Sequence, residues 1–164
     1  MEGFVHMETA VDRLKKGLTA AFIDKGVYSG ESYRPQLVLN NHKLGQKVLT
    51  SLETELNNCD EFFISVAFIT MSGITPLLQT LQELEADGAK GKIITTDYLS
   101  FSEPAALEKL NSFRNIELKF YCAGDRGFHT KGYIFRRGEE YRIIVGSANL
   151  TKCAIKPLPS GMGI

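Results

Sequence analysis

Near the start of the chain, apolar residues recur at helical spacing. Val11, Leu14, Leu18, Ala21 and Phe22 alternate with Asp12, Arg13, Lys15 and Lys16, which predicts an amphipathic helix over 8–25 closed by Gly26. The stretch from Tyr28 to His42 holds Gly30, Pro35 and two asparagines, and predicts a loop with a short extended piece at 36–39. Val48, Leu49, Leu52 and Leu56 then mark the inward face of a second helix over 44–57.

From Glu61 onward the pattern changes to strands alternating with helices. Residues 61–69 are β-rich and almost continuously apolar, as expected of a central strand covered on both faces; Phe62, Phe63 and Phe68 read as core. A helix over 73–86 places Leu77, Leu78, Leu81 and Leu84 inward. A strand over 92–96 follows, ending at Asp97, which reads as a turn or cap residue or as a lining of a cleft. Next comes a helix over 102–113, with Ser102 as N-cap, Pro104 in the first turn, and Leu107 and Leu110 inward. A strand over 116–121 and two further β-runs complete the order. Strand, helix, strand, helix, strand and hairpin make an α/β fold with a mixed β-sheet flanked by helices. The expected organisation is an N-terminal amphipathic helix at 1–27 and a single domain over 28–164.

Composition narrows the classes. A chain of 164 residues is one ordinary domain, able to bury roughly two thirds of its unfolded surface. Nineteen basic residues balance nineteen acidic ones, which argues against a polycationic coat while leaving room for a local basic patch. Arg136, Arg137, Arg142 and Lys152 are candidates for such a patch, but Glu139 and Glu140 among them fit a solvated hairpin surface equally well. Cys59, Cys122 and Cys153 are odd in number and lack metal-ligand spacing, so no metal, cofactor or disulfide framework is expected. The longest apolar run, 62–69, is too short to span a bilayer. The expectation is a cytoplasmic protein with no membrane partner.

The chemistry concentrates in the last two β-runs. Residues 128–135 read Phe-His-Thr-Lys-Gly-Tyr-Ile-Phe, and 141–151 read Tyr-Arg-Ile-Ile-Val-Gly-Ser-Ala-Asn-Leu-Thr. On a strand, His129 and Lys131 project from the same face. The charged, glycine-containing segment 136–140 turns the chain, and the returning strand delivers Ser147 and Asn149 beside the first pair. An imidazole, a fixed cation and an amide donor around one point form a site for a phosphate. Asp125, Arg126 and Gly127 predict a turn just before it, from which Arg126 could reach a phosphate.

This pattern resembles the phospholipase D superfamily, whose motif is His-x-Lys, commonly followed by four residues and an Asp, then Gly-Ser-x-Asn. His129, Lys131, Gly146, Ser147 and Asn149 match it, while Arg136 stands at the Asp position. The spacing is similar to that of the branch containing metal-independent restriction nucleases and nuclease-like domains fused to helicases. The resemblance implies a phospholipase D-like α/β sandwich and a phosphodiesterase, with DNA as the expected nucleic acid. Its catalytic residues would be His129, Lys131 and Asn149, with Gly146, Ser147 and Arg126 binding substrate. It also implies a two-histidine mechanism through a phosphohistidine. With one His-x-Lys per chain, that mechanism calls for a homodimer whose two motifs meet across a two-fold axis.

The same resemblance implies a Glu downstream of the Asn, yet no acidic residue follows Asn149, and Ser160 stands near the expected place. The expectation is therefore a fragment of a longer helicase or restriction protein. A non-catalytic nucleic-acid-binding module is the second reading. Phospholipid hydrolysis is a weaker third, because nothing resembles a lipid-anchoring helix.

Overall fold

The computed structural model describes residues 36–41, 47–122, 124 and 127–155. The helix expected over 8–25, together with Arg126 and Ser160, lies outside the described residues. The chain divides into two units, 1–37 and 38–164. No described helix is long and apolar enough to cross a membrane.

Five strands form one mixed sheet in the order β3-β2-β1-β4-β5. They are β1 (Glu61–Val66), β2 (Lys90–Thr96), β3 (Ile116–Tyr121), β4 (Lys131–Arg137) and β5 (Glu140–Val145). The first three run parallel, and β4 and β5 form an antiparallel hairpin against β1. The helices are α1 (Val48–Leu56), α2 (Met71–Ile74), α3 (Leu78–Ala86), α4 (Pro104–Asn111) and α5 (Lys152–Ile155). The mixed sheet flanked by helices makes this an α/β fold, as the element order predicts.

Alternation along β1 sets the core. Phe62, Ile64 and Val66 are buried on one face, in register with Phe135, Tyr133 and Lys131 of β4. Leu52 and Leu56 of α1, Leu81 and Leu84 of α3 and Leu110 of α4 complete that core, each contributing about 1.5–3 kcal/mol by leaving water. Gly91 of β2 is required there, because a Cβ would collide with the ring of Phe62. The start of α1 is tied to α5 by one side chain. Asn40 Oδ1 accepts from the Val48 amide at 3.0 Å, and its Nδ2 donates to the Ala154 carbonyl at 2.9 Å.

Three expectations need correction. Strand β1 is central, but among the described residues only one of its faces is deeply buried; Phe63 on the other face is half-buried, beside Ile143 and Val145, which are 62% and 79% exposed. The helix expected over 73–86 is interrupted: Pro76 lies in a 3₁₀ turn, Thr75–Leu77, between α2 and α3, where its missing N–H and ring break the regular ladder. Ser102 is not the N-cap of α4, since Glu103 occupies that position. Ser102 Oγ instead accepts from the Ile69 amide at 3.3 Å and lies 3.3 Å from Thr95 Oγ1, so tertiary contacts displaced the local cap.

Candidate functional site

The site lies at the carboxyl edge of the parallel strands, where open α/β sheets place their ligand crevices. Because β4 runs antiparallel, its first residue meets the last of β1: Lys131 pairs with Val66. Lys131 therefore points into the helix-covered face and is only 9% exposed. Its desolvation pulls the ammonium pKa below the usual lysine value.

His129 precedes β4 and is not part of it, contrary to the expectation of one strand carrying both residues. The pair still meets. Lys131 Nζ lies 2.5 Å from His129 Nδ1 and donates to the His129 carbonyl at 2.8 Å. The adjoining Thr130 hydroxyl lies 2.6 Å from Ser65 Oγ of β1, which ties the irregular segment to the sheet.

The returning strand brings the second half. Gly146 donates from its amide to the Lys131 carbonyl at 3.2 Å, and Gly146 and Ser147 are both exposed. Tyr133, two residues beyond Lys131 on the same face, is almost fully buried and donates its hydroxyl to the Ala148 carbonyl at 2.7 Å. Burial pushes that phenol's pKa upward.

Asn149 is oriented by Phe68, whose amide donates to Asn149 Oδ1 at 3.2 Å. With that oxygen engaged, the Nδ2 hydrogens are the donors left for a ligand. The loop is locked in place next door. Leu150 donates to the Phe68 carbonyl at 3.2 Å and accepts from the Thr70 amide at 3.0 Å. Gly73 of α2 lies against the Leu150 carbonyl so closely that a Cβ would collide with it.

Phe68 joins the two halves, for its backbone holds Asn149 and its ring packs against His129. The Phe68 and His129 ring centroids are 5.7 Å apart, edge to face, and Tyr98 flanks His129 at 5.9 Å in the same manner. Phe68 is thus a half-buried wall of the site and not core. Phe68, Tyr98, Tyr133 and Ser65 were not singled out from sequence as site residues. The available signal was position, since Phe68 and Tyr98 each lie two residues past the end of a parallel strand.

Arg136, at the motif's Asp position, lies elsewhere. Five residues along β4 is about 17 Å from Lys131, and the Arg136 Nε is 3.1 Å from Glu61 Oε2. Among the described residues, no His, Cys, Asp and Glu side chains cluster as a metal site. A buried cation, an imidazole and an oriented amide can together hold an anion and offer it a nucleophile.

No family model matches the sequence, and no curated protein matches it. Among solved structures the chain is similar to NucT from Helicobacter pylori, with a TM-score of 0.54 and 18% identity, covering 68% of this chain and 72% of that one. At that identity the likeness establishes a shared fold, a mixed sheet flanked by helices.

Proposed function

We propose that this chain is a metal-independent phosphodiesterase domain that cleaves nucleic acid, with DNA as the expected substrate, at a site completed by a second copy. The observation that carries the proposal is the contact of the buried Lys131 cation with His129, on a fold whose other loop supplies Asn149 through Phe68. The fold shared with NucT supports it.

In this reading, the non-bridging phosphate oxygens accept hydrogen bonds from Lys131 Nζ and Asn149 Nδ2. These donors are fixed before the reaction, and Lys131 is shielded from water, where a cation stabilises developing negative charge most strongly. The anion draws the ammonium away from His129, whose ring nitrogen attacks phosphorus. An N–P bond forms, the P–O bond to the leaving oxygen breaks, and that oxygen takes a proton from a second imidazole. The second imidazole then removes a proton from water, whose oxygen attacks phosphorus and expels His129. Imidazole is the side chain that both gives and takes a proton near neutrality, which suits it to both steps. Lysine supplies the positive charge that Mg²⁺ provides in other phosphoryl-transfer sites.

The second imidazole is assigned to His129 of another copy, across an isologous two-fold interface. The test is a mixing experiment in which wild type is titrated with His129→Ala chains and allowed to exchange. Activity falling below the wild-type fraction, as mixed dimers replace competent ones, is expected. Activity strictly proportional to the wild-type fraction, or full turnover by a monomer, would remove the shared site.

A further inference from the structure

Around His129 the carboxyl edge of the sheet is built of aromatic rings, several of them turned to solvent. Phe68 and Tyr98 flank the imidazole, with their own planes 7° apart and centroids 6.5 Å apart. Phe101 packs edge-on against Phe68 at 5.2 Å and is 60% exposed. On the other side, Phe128 lies against Tyr121 at 5.3 Å, and Tyr121 is 40% exposed. Exposed aromatics gathered beside a polar site mark a binding surface, because burying them would otherwise be favourable.

The segment carrying Tyr98 and Phe101 is also conformationally unusual. Leu99 and Ser100 both adopt positive φ, 56° and 52°, a region that side-chain-bearing residues seldom occupy, Leu least readily. Such strain persists where the surroundings require it, and here its consequence is to keep Leu99 and Phe101 outward (Leu99 is 61% exposed) while Tyr98 turns in against His129.

We propose that Tyr98 and Phe101, with the Phe68 ring between them, form a stacking platform for unpaired bases next to the scissile phosphate, so that the substrate is a single strand. The inference rests on the phosphodiesterase reading for the identity of the phosphate site. In a duplex, bases are paired and stacked inward, and no base face is free to lie on rings that adjoin the phosphate pocket. An unpaired strand exposes its bases, and aromatic side chains beside a cationic backbone site are how proteins hold it without reading sequence. An acyl chain would call for a continuous aliphatic groove, whereas this rim is aromatic except for Leu99.

The test measures binding of the full chain to a labelled short oligonucleotide, single-stranded and as its duplex, and to phosphatidylcholine vesicles, with cleavage followed on the same strands in EDTA. The platform predicts a strongly preferred single strand. Tyr98→Ala and Phe101→Ala should each weaken strand binding on the order of tenfold or more while leaving duplex binding little changed. Tyr98→Phe and Phe101→Tyr should restore it, and Phe101→Leu, which keeps an apolar side chain without a ring face, should not. Because Phe101 is largely exposed, its variants remain informative even if Tyr98→Ala fails to fold. Equal binding of strand and duplex, equal losses on both, or vesicle binding that depends on Phe101 would overturn the platform. Aromatic-dependent strand binding without cleavage would leave the platform standing and remove the phosphodiesterase. Cleavage indifferent to strandedness and to Phe101 would do the reverse.

Discussion

The Lys131 ammonium lies 2.5 Å from His129 Nδ1, so the cation proposed to hold the phosphate also caps the proposed nucleophile when no phosphate is present. Lys131 is buried, and desolvation disfavours its charged form. A lysine whose folded pKa is depressed binds fewer protons in the folded than in the unfolded state at pH values between the two pKa values. Stability therefore rises with pH as Lys131 deprotonates in the folded protein, and levels off near the ordinary value of 10.5. Replacing Lys131 with Met should remove that alkaline rise, stabilise the domain by about 0.5–2 kcal/mol, and abolish cleavage. Denaturant unfolding over an alkaline pH series on wild type and Lys131→Met checks all three. A destabilised variant would show that the contacts of the ammonium outweigh its burial.

Gly73 and Leu150 set how close the Asn149 loop approaches α2. Gly73→Ala forces a methyl group into the Leu150 carbonyl, and the loop has to move. A loss of about 1–3 kcal/mol is expected, along with a fall in kcat larger than any rise in KM, because Asn149 loses its place. Urea unfolding and steady-state kinetics measure the two effects. Unchanged stability would mean that α2 shifts without strain.

Tyr133→Phe removes the hydroxyl that donates to the Ala148 carbonyl and leaves the ring in the core. The expected cost is about 0.5–1.5 kcal/mol, with faster hydrogen exchange in residues 146–150 than in the strands. Protection lost uniformly across the sheet would contradict a local anchoring role.

Arg136 occupies a position where the resemblance called for an acid, but its pairing with Glu61 puts it on a different part of β4. Arg136→Ala should cost no more than about 1 kcal/mol and leave turnover close to wild type. A large loss of cleavage at intact stability would place Arg136 in the substrate path.

The sequence made the hairpin, the element order and the inward faces of α1 and α3 legible, because alternation and helical spacing are local signals. What escaped depends on distant neighbours. Ser102 had the local character of an N-cap, yet Ile69 and Thr95 claimed its hydroxyl. Phe68 continued an apolar run and read as core. It ends up at the site because β1 stops at Val66 and the chain turns there to meet Leu150. His129 and Lys131 were expected to share a strand face. They meet instead because the long lysine side chain folds back onto an irregular segment, which period-two alternation cannot foresee.

The most direct test of the phosphodiesterase reading is cleavage of single-stranded and plasmid DNA in EDTA by wild type and His129→Ala, with light scattering on the same samples. EDTA-resistant cutting by a dimeric wild type, abolished in the variant while its fold and dimer persist, is the predicted result. Cutting that EDTA abolishes, or that survives without the His129 imidazole, would contradict the account.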